Sequence, residues 1–242
     1  MTKTKLQPYI NAVAYIMMVA INVVAQRTPK TVADISNTYQ TLLTPSGLTF
    51  AIWGLIYGTL FIYVVYQLFN EDRYNIGDLF LFSCLLNIAW IVTWHFEFIL
   101  ISLLVIMALA VVLFMIYERL KPAKLLMRIP FSIYYSWISI ASIISIFTLL
   151  SSMTNIIVFD STIMRVISVI TLVLLVVLIY RYRKDVAYVG VFIWAYIGII
   201  MKHVNVFQSK YMEIIIISFL MILVCIVTII FSNFIKRKEI EI

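Results

Sequence analysis

LFLFSCLLNIAWIVTWHF, residues Leu79 to Phe96, is the stretch whose reading decides the fold. It holds no charged side chain unless His95 is protonated. A helix crosses a bilayer with roughly 20 mostly apolar residues. The run continues through the apolar stretch after Ile99 and is then about twice the length one crossing needs. Glu97 lies in its middle and would be costly in hydrocarbon, so a tight turn at His95-Phe96-Glu97 splits it into two spans. Within the first, Asn87, Trp90 and Trp94 stand at i, i+3 and i+7, one face of a helix. A polar amide and two large aromatics on one stripe suit an interior surface that could hold a flat apolar ligand. The plainer reading makes Asn87 an interhelical hydrogen-bonding group and the indoles packing.

The same pattern recurs along the chain. Charged residues are 12% of 242 and hydrophobic residues 64%, where a soluble domain has about 25% charged residues. Mean hydropathy is +1.07. The sequence predicts an all-α integral membrane protein with helices at about 8–26, 46–69, 78–95, 98–118, 130–153, 163–182, 186–202 and 213–235. Basic residues ahead of the first span and the small residues at Val23-Val24-Ala25 also resemble a signal peptide. Asn11 and Asn22 interrupt that span and it is long for a signal sequence, so we read it as a retained helix.

The net charge of +7 sits in short loops, which points to membrane orientation rather than nucleic acid. With the N-terminus inside, Lys3, Lys5, Arg73, Arg119, Lys121, Lys124, Arg128, Arg181, Arg183, Lys184, Lys236, Arg237 and Lys238 fall on the cytoplasmic side. Only Arg27, Lys30, Arg165, Lys202 and Lys210 fall outside. Both termini are therefore expected in the cytoplasm, with an even number of helices and the 27–45 loop outside. That loop is long enough to be a lid or a solvated connector. Cys84 and Cys225 lie within apolar runs and read as small core residues.

The helix interiors lack Asp, Glu, Lys and Arg, which ion-coupled transporters and proton pumps usually need near the midplane. No metal motif, paired carboxylate site or phosphate loop appears. An enzyme would need a hydroxyl nucleophile without a paired buried base, so we read the chain as no enzyme. His95 and His203 sit near helix ends, where a solvated side chain is the plainer reading and axial ligation of haem iron the sharper one. What remains is aromatic. Trp53 and Tyr57 are one turn apart, as are Trp90 and Trp94; Tyr134 precedes Trp137 by three, and Trp194 lies near Tyr188 and Tyr196. Any one of these suits an interfacial belt. Trp53 and Trp90 lie too deep in their spans for that alone, and aromatic faces with indole N–H groups suit a planar amphiphile.

Three blocks carry a resemblance. They are Thr44-Pro45 through Trp53 to Tyr57, with Trp eight residues after Pro and Tyr four after Trp; Leu86-Asn87-Ile88-Ala89-Trp90; and Pro130 through Trp137 to Ala141. The chain resembles the tryptophan-rich sensory protein family, which includes the translocator protein (peripheral benzodiazepine receptor). The second block, similar to the family's Leu-Asn-x-x-Trp signature, is the most specific. A single Pro45 stands where the family has paired prolines, and Ile144-Ser145 where it has Leu-Asn.

The resemblance covers about residues 8–153 and implies a five-helix bundle there, 1–153, with a pocket opening near the 27–45 loop. Residues 154–242 then form three additional transmembrane helices, eight in all. The resemblance implies a porphyrin, haem or sterol-like ligand, with Trp53, Asn87, Trp90 and Trp137 as matching pocket positions. Pro45, Tyr57, Trp94 and Tyr134 complete the candidate site. The expected partners are that hydrophobic small molecule and membrane lipids, without nucleic acid or a required cofactor. The arrangement is compatible with a homodimer, and the resemblance places the chain in a plasma membrane. The rival reading is a permease or lipid-scramblase-like transporter for small amphiphiles, since basic cytoplasmic edges attract anionic headgroups. A docking subunit is the third, although the last three helices show no GxxxG.

Overall fold

The computed structural model describes residues 6–70, 76–153, 161–182 and 184–240. Of the basic residues expected inside, Lys3, Lys5, Arg73 and Arg183 lie outside the described residues, as do the side chains of Lys236, Arg237 and Lys238. The 153/154 boundary adjoins residues 154–160, also outside them. The helices are α1 (Gln7–Ala25), the short α2 (Val32–Thr38), a 3-10 turn (Gly47–Ala51), α3 (Ile52–Phe69), α4 (Gly77–His95), α5 (Ile99–Arg119), α6 (Leu125–Met153), α7 (Thr162–Arg181), α8 (Val186–Asn205) and α9 (Met212–Ile240). Eight of these are long and apolar enough to cross a membrane, taking the 3-10 turn with α3.

Five spans close into a ring in the order α1–α3–α6–α5–α4 and back to α1. Each turns its buried stripe inward and leaves leucine, isoleucine, valine and phenylalanine outward, as lipid-facing helices do. On α1 the inward stripe is Asn11, Tyr15, Met18 and Asn22, at helical spacing. Its amides bond across the ring. Asn11 Nδ2 donates to Gln67 Oε1 at 3.0 Å, and Tyr15 Oη donates to the Tyr57 carbonyl at 2.8 Å. Helices in lipid gain little from apolar contact alone, so such bonds hold α1 in the ring.

The turn between α4 and α5 falls at His95–Phe98. Glu97 takes a left-handed φ of 57°, the position that closes a helix end and that glycine usually fills. There the Phe98 N–H reaches back to the Thr93 carbonyl at 3.0 Å. α6 begins at Leu125, five residues ahead of Pro130, where the sequence reading started it. A proline this near a helix start forgoes a single backbone bond, so the helix extends past it.

The three remaining spans join through α8, which packs on α6 and on the 3-10 turn; α9 packs on α8, and α7 on α9. The polar turn before α8 is more than a connector. Asp185 caps α8 by accepting from the Tyr188 N–H at 3.1 Å. Its other oxygen accepts from Ser132 Oγ at 2.6 Å and Tyr117 Oη at 3.0 Å, with Arg128 Nε at 3.6 Å. One buried carboxylate thus ties α5, α6 and α8 together. Tyr117, Tyr135, Tyr182 and Tyr188 pack around it, with ring centroids 4.4 Å apart for the last two.

Candidate functional site

The Leu-Asn-x-x-Trp stripe of α4 faces into the ring. Asn87 is fully buried and uses both ends of its amide: Nδ2 donates to Tyr134 Oη at 2.9 Å, and Oδ1 accepts from Asn22 Nδ2 at 2.8 Å. Asn22 also donates to the Met18 carbonyl of its own helix. The amide–amide–phenol chain therefore links α1, α4 and α6 at one depth.

Four rings stack beside it in a ladder. Tyr57 lies on Trp53 at 5.6 Å, Trp53 on Trp90 at 5.4 Å and Trp90 on Trp94 at 6.1 Å, with interplanar angles of 24°, 27° and 26°. Tyr134 meets Trp53 edge-on at 6.1 Å. The ladder takes two rings from α3 and then two from α4, because one-turn spacing stacks a pair on each helix and the pairs meet at Trp53 and Trp90. Trp94 Nε1 points to the Val32 carbonyl of α2 at 3.4 Å, at the edge of hydrogen-bonding distance. Trp137 packs edge-on against Phe50 of the 3-10 turn at 6.1 Å.

Tyr57 Oη, Trp90 Nε1 and Trp137 Nε1 are buried and have no hydrogen-bond partner. Buried polar atoms are nearly always bonded, and an orphan at the price of a lost hydrogen bond calls for an explanation. The Tyr57 hydroxyl stands next to the Asn87 amide, which keeps one N–H beyond the bond it gives Tyr134, so it is the phenol's own O–H that lacks an acceptor.

A crevice of about 590 Å³ opens against this cluster, between α1, α2 and the start of α3. Its inner wall is Trp53, Tyr57 and Asn22, its sides Phe50, Ala51, Gly54 and Val32, and its mouth Gln26, Arg27 and Thr31. Small-molecule sites span about 300–1,000 Å³ and combine apolar walls with a few polar groups. Arg27 is exposed at the mouth.

Of the residues singled out in the sequence, Trp53 and Tyr57 line the crevice. Asn87, Trp90, Trp94 and Tyr134 form the layer behind them, and Trp137 is reached through Phe50. Pro45 is buried at the entry to α3, outside the crevice lining; the next residue's N–H, that of Ser46, bonds to the Gly198 carbonyl of α8 at 2.9 Å. The sequence reading missed Asn22, which it took only as a break in an apolar run. The 11-15-18-22 spacing on α1 carries the signal. It also missed α8's part: Trp194 Nε1 donates to the Thr49 carbonyl at 2.8 Å.

The histidines need correction. His203 is fully buried rather than solvated, with Nε2 on the Leu42 carbonyl at 2.8 Å. His95 sets Nδ1 against the Ile91 carbonyl at 2.9 Å and Nε2 against the Ala25 carbonyl at 3.0 Å, so both nitrogens are engaged at a helix end. Among the described residues no three His, Cys, Asp or Glu side chains group as metal ligands. Both cysteines are free and buried.

Part of the 27–45 segment, from Arg27 to Ala33, lines the crevice. Thr31 caps α2 in a reciprocal box with Asp34, whose carboxyl is held below the usual range by the Thr31 hydroxyl and N–H. Glu97 accepts from Lys30 Nζ at 2.6 Å and from Tyr39 Oη at 2.8 Å. Those two donors hold the Glu97 carboxyl below the usual range, and the hydrogen bond to Glu97 pushes the Tyr39 phenol up.

Neither the curated proteins nor the solved structures contain a match to the chain. A family model described as TSPO-like protein matches residues 8–231, from α1 through α9 and well past the five-helix ring. With that match spanning nearly the whole chain, the chain belongs to the TSPO-like protein family.

Proposed function

We propose that this protein binds a hydrophobic, planar ligand of the porphyrin or sterol-like class in the crevice against Trp53 and Tyr57. The observation that carries the reading is the pairing of that crevice with three orphaned buried donors, Tyr57 Oη, Trp90 Nε1 and Trp137 Nε1. An apolar wall of stacked rings accepts a flat body, and unpaired donors behind it gain a partner when the side chains adjust around a ligand's polar edge. The groups in reach are indoles, phenols and amides, which bind and orient but offer no general base near neutral pH, so binding, sensing or passage fits better than catalysis. Haem or porphyrin is then a ligand, not a required cofactor. The basic loops support an orientation with both termini cytoplasmic, and the family resemblance is what suggests a plasma membrane.

The test is a titration of purified protein with protoporphyrin, haem, a sterol and a phospholipid, followed by tryptophan fluorescence. Saturable quenching by one planar ligand, weakened at least tenfold in Trp53→Phe, is expected. Equal and unsaturable responses to all four would overturn the reading.

Passage of a small amphiphile is the second reading. It is favoured by a wholly apolar groove of about 370 Å³ on the other side of α1, lined by residues such as Ile10, Met17, Leu81 and Ile88. α1 thus has an opening on each flank. Movement of a labelled amphiphile across proteoliposomes carrying the protein, above empty vesicles, is the outcome that supports it.

A further inference from the structure

The two histidines of the chain meet different surroundings. His203 is fully buried and faces one acceptor: Nε2 stands 2.8 Å from the Leu42 carbonyl, and Nδ1 has no partner. A neutral imidazole, with its single N–H, meets that need. His95 is half-buried and faces two acceptors. Nδ1 stands 2.9 Å from the Ile91 carbonyl and Nε2 3.0 Å from the Ala25 carbonyl. A carbonyl oxygen only accepts. Whichever nitrogen of a neutral ring holds the proton, the other turns its lone pair on an oxygen, and only the imidazolium donates to both. Placement favours the cation as well. His95 is the last residue of α4 and Ala25 the last of α1, so the negative ends of two helix dipoles meet at the ring.

The Ala25 carbonyl sits among residues that form one wall of the crevice: Asn22, Val23, Gln26 and Arg27. His95 does not line the crevice; it holds that wall from α4. Resting on the ligand reading above, we propose that His95 is a positioning residue for the crevice, clamping the end of α1 to the end of α4 when it carries two protons and giving up one of the two bonds when it carries one. The wall is then fixed at acid pH and loosens as pH rises through the range in which histidines titrate. The acids on the neighbouring elements titrate outside that range. Glu97, in the turn after α4, is held below the usual carboxylate range by Lys30 and Tyr39, and Asp34 of α2 by Thr31. Tyr39 is pushed up by its bond to Glu97. The cations on that side are Arg27 just past α1, Lys30 on Glu97, and Lys202 of α8, whose Nζ donates to Asn37 Oδ1 of α2 at 2.6 Å.

The experiment is a pH series on the full chain in lipid nanodiscs, from about pH 5.5 to 8. The probes are protoporphyrin dimethyl ester, read by tryptophan quenching, and dehydroergosterol, read by energy transfer from tryptophan; neither carries a carboxyl group. Kd should weaken about three- to tenfold from the acid to the alkaline end, the worth of one hydrogen bond. His95→Gln, with a neutral amide at every pH, should show the weaker value throughout, while Glu97→Gln should keep the slope. Nitrogen-15 NMR of the histidine rings in the unaltered protein should show two His95 ring N–H protons that exchange slowly with water at the acid end. A Kd independent of pH in the unaltered protein, a slope that survives His95→Gln, or His95 ring protons that exchange as freely as those of a solvated imidazolium would overturn the clamp. Absence of saturable binding of either probe at every pH would instead overturn the ligand reading, and the ring-proton exchange would still decide the clamp.

Discussion

Asn87 concentrates the site's chemistry in one side chain. Its amide is bonded on both ends, to Asn22 and Tyr134, across three helices. Such bonds in membrane proteins contribute about 1 kcal/mol each. Asn87→Ala should therefore destabilise the detergent-solubilised protein by about 1–2 kcal/mol. In a double-mutant cycle with Asn22→Ala the two effects should be less than additive, read by thermal unfolding; strict additivity would contradict the shared bond. Glu97 makes a second prediction. Its carboxyl is depressed by Lys30 and Tyr39, so the stabilisation from these contacts is fully present above the ordinary Glu pKa and is lost as pH falls through the lower folded value. A carboxyl-carbon NMR titration should place the Glu97 midpoint below about 4.3, with Lys30→Met moving it upward. A midpoint at or above the ordinary value would refute these contacts. Much of this scale was legible in the sequence, because Asn, Trp and Tyr at one-turn spacing declare a common face. The bonds of Asn22 and Lys202 were not, because their partners lie 65 and 165 residues away.

At the scale of elements, α8 is the helix whose role differs most from its sequence. Its hydropathy reads as one more span, yet it is the most buried of the eight. Asp185 anchors it. Removing one partner of a buried ion pair costs about 3–5 kcal/mol, because the other charge is left uncompensated. Asp185→Ala loses the cap, the Ser132 and Tyr117 bonds, and the Arg128 pairing together, and should destabilise by about 3 kcal/mol. Asp185→Asn keeps a capping oxygen and should cost clearly less. Equal losses by denaturant unfolding would mean that the carboxylate does not tie the helices. The sequence showed Asp185 only as part of a polar turn, because a single acid beside three bases looks like a solvated loop. The His95-Phe96-Glu97 turn was legible for the opposite reason: an acid between two long apolar runs has nowhere else to go.

At the scale of the whole molecule, the three added spans meet the five-helix ring through α8, which packs on α6 and on the 3-10 turn that helps line the crevice. Composition and repeated apolar runs disclosed eight helices. They could not disclose that α8 packs on α6, since lipid-facing and helix-facing sides are both apolar. An even number of spans puts both termini on one side of the membrane. Reporter fusions at residues 1 and 242 should report the same compartment, and opposite compartments would mean a wrong span count. The central claim is that a flat apolar ligand sits between α1, α2 and α3 against Trp53. The most direct measurement is peptide mapping after labelling with a photoreactive sterol or porphyrin in nanodiscs. The account predicts adducts in residues 22–33 and 47–57 that excess unlabelled ligand abolishes. Adducts confined to the lipid-facing surfaces of α7 and α9, and insensitive to competitor, would contradict it.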